Sequence, residues 1–185
     1  MGKGIVDQLK KEFQLDVTWH PYEIHPELPF EGVLISVLFP HVDGDAMFAG
    51  FNRSGKPYDI HFNRIDRLYN SRTALELSEL ARDRGVYDEM HTLLFSAYFH
   101  DGKNIADPDV LCDIALNVGL KQEEVKEAFE KKTYINRLTS SLEEGREKGI
   151  SAVPAFIFSD GQKIIGAQSL VMYKNILMGI EKRLQ

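Results

Sequence analysis

Gly149-Ile-Ser-Ala-Val-Pro-Ala-Phe-Ile-Phe158, followed by Ser159-Asp-Gly-Gln-Lys-Ile-Ile-Gly-Ala-Gln168, sets a proline directly before a short apolar strand. Proline lacks an N–H and fixes φ, so it belongs here at a strand start or an edge. The Val153–Pro154 bond is a candidate for the cis isomer. The stretch predicts a strand over 155–158, a turn at Ser159-Asp160-Gly161 and a second strand over 163–166. A closing helix over 169–184 carries Leu170, Tyr173, Ile176, Leu177 and Ile180 at core spacing.

Upstream of this unit the pattern is helical from Ser71 to Lys148. Ser71 is placed to cap a helix through Ala74, Leu75, Leu77, Leu80 and Ala81 to Gly85, and Tyr87 to His100 follows with Met90, Leu93, Leu94, Ala97 and Tyr98 on one face. Asp107 before Pro108 is a strong helix start, and Gly119 ends that element. Two further helices bury Val125, Ala128 and Phe129, and then Ile135, Leu138 and Leu142, before Gly149 stops the last of them. Arg146 and Lys148 read as solvated positive charges at that helix C-terminus.

The chain opens with Ile5, Leu9 and Phe13 on one face of an amphipathic helix that has no cap or lead-in. Residues 16–24 alternate Val17, Trp19, Tyr22 and Ile24 with polar residues, as a strand does until Pro21 bends it. From His25 to Arg67 prolines and glycines punctuate the sequence. That stretch reads as loop with short helices near 33–39 and 44–52.

The 185 residues, 43% hydrophobic and 27% charged, suit one globular unit. A net charge of −6 points away from nucleic acid and from anionic membranes as partners. No apolar run is long enough to cross a bilayer and the first residues lack a signal-peptide core, so cytoplasmic residence is the default expectation. The single cysteine, Cys112, rules out an internal disulfide. Its helical apolar setting, with Asp109 and Asp113 beside it, reads as a structural thiol rather than a reactive one. His20, Glu23 and His25 lack the tight spacing of a zinc site, and no metal is expected. His91 and His100 read as surface or cap residues, and His41 and His61 lie in the punctuated segment without a triad context.

Four stretches together resemble the DsbA family of thioredoxin-fold proteins, in the FrnE-like branch that also resembles 2-hydroxychromene-2-carboxylate isomerases. They are Trp19-His-Pro-Tyr-Glu-Ile-His-Pro-Glu-Leu-Pro-Phe-Glu-Gly32, Asn70-Ser-Arg-Thr-Ala-Leu-Glu-Leu77, Leu93-Leu-Phe-Ser-Ala-Tyr-Phe-His-Asp-Gly102, and Gly149 to Phe156 with Gly166-Ala-Gln168. The resemblance implies an α/β thioredoxin-like fold over 1–68 and 149–185, with residues 69–148 as an all-helical insertion. It implies a substrate-binding role for Val153 and Pro154, where the backbone beside the proline pairs with an extended substrate.

In such relatives a first strand and a Cys-Pro-Trp-Cys-type motif precede the first helix, whose opening looks like Gly2-Lys-Gly-Ile-Val6. The chain is therefore expected to begin just past the redox motif, as a fragment or through a misassigned start; otherwise a second copy would complete the sheet. Without that motif no catalytic residue is assigned, and activity of this form in dithiol exchange is doubtful. The expected partner is a thiol-containing protein or peptide, or a small-molecule substrate, with no cofactor. Two alternatives stand beside this reading. One is a glutathione-dependent isomerase or transferase, and the other is a non-enzymatic peptide-binding module.

Overall fold

A computed structural model of the chain describes residues 1–184. Its elements run α1 (Gly2–Leu9), β1 (Val33–Leu34), α2 (Ile35–Leu38), α3 (Gly44–Gly55), β2 (Arg67–Leu68), α4 (Arg72–Asp83), α5 (Tyr87–Phe99), α6 (Pro108–Leu116), α7 (Gln122–Glu130), α8 (Ile135–Glu147), β3 (Ala155–Ile157), β4 (Lys163–Ile165) and α9 (Leu170–Leu184). This is the α/β thioredoxin-like architecture with a helical insertion.

The larger core forms around α4. Leu77, Leu80 and Ala81 recur at helical spacing and are sealed by α5, α6, α7 and α8, with Met90, Leu111, Val125, Tyr134 and Leu138 closing over them. Each such aliphatic side chain contributes about 1.5–3 kcal/mol through the apolar area it removes from water. Cys112 is buried in this cluster. Burial pushes its thiol up; Lys126 opposes this, and Asp109 and Asp113 add to it. Asp107 caps α6 with its carboxylate accepting from the Asp109 N–H at 2.9 Å. Asp107→Ala should therefore cost about 1 kcal/mol, read as a lowered urea midpoint at unchanged m-value.

A second, smaller core holds the ends of the chain together. Ile5 and Leu9 of α1 meet Ile164 of β4 and Tyr173 of α9, and the Phe156 ring lies 4.7 Å from that of Tyr173. The Tyr173 hydroxyl is satisfied by donating to the Gly166 carbonyl and accepting from the Gln168 N–H, both at 3.3 Å. β3 and β4 pair antiparallel in the register Ala155↔Ile165, Phe156↔Ile164, Ile157↔Lys163. The turn between them places Gly161 at φ +84°, a region that favours glycine.

Two local expectations are corrected. Residues 16–24 do not form a strand, because no neighbouring backbone ladders with them; helix side chains hold the carbonyls instead. Arg82 Nη2 donates to the Trp19 carbonyl at 2.7 Å, Ser141 Oγ to that of Pro21 at 2.6 Å, and Asn70 Nδ2 to that of Leu28 at 2.9 Å. Residues 16–32 are thus a strap laid across α4 and α8. At the start of α4, the Ser71 side chain makes no cap bond; Asn70 Oδ1 accepts from the Arg72 N–H at 2.8 Å in its place.

The punctuated segment is ordered by similar substitutes for ladders. The Asn52 amide donates to the Phe62 carbonyl at 2.9 Å and accepts from its N–H at 2.7 Å, as a strand neighbour would. This brings Phe48, Phe62 and Ile65 into the helical core. The short β1–β2 ladder, Val33↔Leu68 and Leu34↔Arg67, depends on Gly32 at φ +67°. A Cβ there would sit 2.6 Å from the Leu68 carbonyl oxygen.

Candidate functional site

The start of α1, the Pro154 loop and the strap converge on Gly2. A Cβ built on Gly2 would lie 3.0 Å from Pro154 Cβ and 3.8 Å from the Trp19 ring, so a side chain there would press the Pro154 loop back by a few tenths of an ångström. The Val153–Pro154 peptide bond is cis, and Val153 is 48% exposed beside it. The sequence-derived pair Val153 and Pro154 therefore lies against a helix N-terminus. That terminus has Met1 as its N-cap with no side-chain cap bond, and the first intrahelical bond runs from the Ile5 N–H to the Met1 carbonyl at 3.0 Å. The earlier N–H groups of the helix have no acceptor within it, and such a terminus favours a negative charge.

Loop and edge geometry on β3 extends this surface. The Pro154 carbonyl accepts from the Gly166 N–H at 2.8 Å and the Phe158 N–H donates to the Gln162 carbonyl at 2.9 Å, so even-numbered residues face β4. Ala155 and Ile157 direct their backbone groups to the opposite edge, which pairs with no other strand among the described residues. The Val153 and Ile157 side chains are exposed beside that edge.

His91 is the residue that sequence reasoning set aside and the fold brings here. Its ring stacks on Phe95 at 4.4 Å and lies 5.8 Å from Trp19 and 6.0 Å from Tyr87. Its Nδ1 is buried with no protein hydrogen-bond partner among the described residues. Burial, and then Lys3 on α1, hold the imidazole below its ordinary range, so it is neutral at physiological pH. The sequence signal for it was the spacing His91, Phe95, Phe99 along one face of α5, which reads equally as plain core packing. His20 stands exposed and His25 is partly exposed, with its Nδ1 2.9 Å from Glu27 Oε1. His100 is exposed beside Asp101.

The Cys112 thiol is buried in the helical core, whereas the Val153–Pro154 loop belongs to the hairpin side of the molecule. Among the described residues no group of three or more His, Cys, Asp or Glu side chains is arranged to hold a metal ion. No helix among them is long and apolar enough to cross a membrane.

A family model described as a DSBA-like thioredoxin domain matches residues 1–178. The uncharacterized protein YwbO of Bacillus subtilis (strain 168) is 28% identical over 167 residues, which are 86% of this chain and 80% of that protein. The solved structure of a probable DsbA oxidoreductase from Streptomyces coelicolor superposes with a TM-score of 0.86 at 18% identity, covering 96% of this chain and 82% of that one. A 2-hydroxychromene-2-carboxylate isomerase superposes with a TM-score of 0.72 at 13% identity, covering 97% of this chain and 88% of the other. At these identities the two structures speak for the fold alone.

Proposed function

From the premise that this chain belongs to the DSBA-like thioredoxin domain family, we propose that it is a cytoplasmic protein of the FrnE-like thiol–disulfide oxidoreductase type whose Val153–Pro154 loop holds the substrate. It holds an extended, thiol-containing peptide along Val153 and Pro154. The observation that carries this reading is the meeting of the exposed Val153–Pro154 loop with the uncapped start of α1 at Gly2. Strand addition gives such a surface main-chain hydrogen bonds from the backbone beside Pro154, and an apolar contact from the exposed Val153.

Dithiol exchange needs a thiolate to attack the substrate disulfide and a second sulfur to resolve the mixed disulfide. Cys112 offers one buried thiol whose ionisation burial opposes. The 185-residue form should therefore bind without turnover. Trp19 is the only tryptophan in the sequence and lies at the site, so its fluorescence reports binding directly. An extended cysteine-containing peptide should quench or shift Trp19 emission saturably, and Val153→Asp should weaken that binding about tenfold or more by placing a charge at an apolar contact. Insulin reduction should stay at the uncatalysed rate. Reduction at a thioredoxin-like rate, or peptide binding indifferent to Val153→Asp, sinks the reading.

A glutathione-dependent isomerase or transferase is the second reading, supported by the uncapped α1 start and the neutral His91 near it. Glutathione would supply a thiol, and the α1 N–H groups would favour its anionic form. Saturable glutathione binding by calorimetry, lost in His91→Phe, would favour this reading over the first.

A further inference from the structure

Rings from the strap and from α5 form a continuous row that leads away from the Val153–Pro154 loop. Gly2 lies between Pro154 and the Trp19 ring. The Trp19 ring is centred 5.8 Å from that of His91, the His91 ring stacks on Phe95 at 4.4 Å with the two planes 19° apart, and Phe95 lies 5.7 Å from Phe99. His91, Phe95 and Phe99 follow one another four residues apart, so they stand along one face of the helix.

The row is fixed from both sides. Phe99 meets the buried Phe62 edge to face, with centroids 5.3 Å apart, inside the helical core. Trp19 is held through its carbonyl, which accepts from Arg82 Nη2 at 2.7 Å, and the same guanidinium lies 4.3 Å over the ring of Tyr87, itself 6.0 Å from His91. The His91 Nδ1 is turned into the protein, and burial, then Lys3, keep the imidazole neutral, so no charge interrupts the row. Trp19, His91 and Phe99 are partly buried, whereas Phe95 is 47% exposed. A lone exposed apolar side chain is ordinary on a protein surface. Phe95 differs because it is the open member of an immobilised row that is continuous with the candidate site.

A fixed ring surface distinguishes between the side chains laid on it. An aliphatic group on Phe95 gains from the area it removes from water, whereas an aromatic group adds the offset-stacked or edge-to-face attraction between two rings. The row is ordered before anything binds, so little entropy is lost on its side of the contact. The successive ring contacts put Phe95 at most about 20 Å from Pro154, the span of about six extended residues at roughly 3.3 Å each. A peptide seated at Pro154 can therefore set a second side chain on Phe95 while remaining extended.

We propose that Phe95, backed by His91 and Trp19, is a docking platform for an aromatic side chain of the extended, cysteine-containing substrate, placed within about six residues of the part held at Pro154. This rests on the reading of Val153–Pro154 as the peptide-holding loop and adds to it a preference for substrates that carry an aromatic residue near the thiol.

A peptide series tests the platform on the full chain. Each peptide has one cysteine among alanines and carries phenylalanine, cyclohexylalanine or leucine at one of the six positions on either side of it, and affinity is measured by calorimetry with Trp19 emission as the second readout. At one spacing phenylalanine should bind about threefold to tenfold tighter than either non-aromatic side chain, the saturated ring serving as the control of equal bulk. Phe95→Leu and Phe95→Ala should bring the three side chains level and leave the affinity of the all-alanine peptide unchanged. Val153→Asp should weaken every peptide and keep the preference for phenylalanine. If Val153→Asp weakens binding but phenylalanine shows no advantage at any spacing, or keeps its advantage in Phe95→Leu, the platform is overturned and the loop reading stands. An advantage lost in Phe95→Leu, in peptides indifferent to Val153→Asp, supports the aromatic contact at Phe95 and overturns the loop reading. The absence of saturable binding by any peptide overturns both.

Discussion

Replacing Gly145 by alanine is expected to destabilise the protein by about 2 kcal/mol, although alanine in a helix interior ordinarily gains about 1 kcal/mol over glycine. Gly145 lies near the end of α8, and a Cβ there would sit 2.9 Å from Tyr22 Cδ2 and closer still to Cε2. The ring has little freedom to retreat, because its hydroxyl donates to the Ile150 carbonyl at 2.7 Å. The same end of α8 closes in a Schellman arrangement, with the Ile150 N–H donating to the Gly145 carbonyl at 2.8 Å and that of Gly149 to the Arg146 carbonyl at 2.9 Å. Strap, helix end and the approach to the Val153–Pro154 loop are therefore locked around one missing methyl group. Urea unfolding of wild type, Gly145→Ala, Tyr22→Ala and the double variant measures this coupling. In the Tyr22→Ala background the alanine should become neutral or stabilising, because the ring it meets is gone. An equal loss in both backgrounds would place the cause elsewhere.

How far the sequence reveals this molecule depends on which interactions carry each segment. The hairpin β3–β4, α9 and the helices of the insertion are legible because their apolar residues recur at the period of the element that buries them, as Leu77, Leu80 and Ala81 do on α4. The Asp107–Pro108 start is legible because its cap is encoded locally. Residues 16–24 mislead for the opposite reason. Their alternation is real, with Leu15, Val17 and Trp19 less exposed than Asp16, Thr18 and His20, yet a strand is defined by a partner ladder that no local pattern supplies. What fastens them comes from Arg82, Ser141 and Arg72, residues 49 to 120 positions away. The site divides along the same line. Pro154 is visible because proline before a strand is a local signal, whereas the His91, Phe95, Phe99 spacing on α5 does not distinguish a site residue from core packing. Asn52 is a further case: a polar residue in a glycine-rich stretch whose amide completes the Phe62 backbone ten residues on.

Arg72→Ala should produce the other large loss, about 2–3 kcal/mol at neutral pH, because it leaves Glu23 buried without the cation that its Oε2 accepts from. Exposed ion pairs contribute about 1 kcal/mol or less, and the Arg72 side chain is itself 44% exposed, so water screens part of the interaction. What places this pair above the surface range is the other partner: Glu23 is 5% exposed, and water cannot replace the lost donors without opening the strap. Removal of the cation also withdraws the main charge that offsets burial at Glu76. The destabilisation should accordingly grow as the pH rises past the ordinary glutamate value and shrink on acidification, as protonation neutralises Glu76. Arg72→Lys should recover only part of the loss, since a single ammonium replaces two N–H donors that converge on one oxygen. Arg72→Met combined with Glu23→Leu should recover most of it by substituting an apolar contact for the buried pair. A loss below about 1 kcal/mol that does not change with pH would mean that the strap is held by Tyr22, Asn70, Ser141 and Arg82 alone, with the Glu23–Arg72 pair behaving as a surface contact.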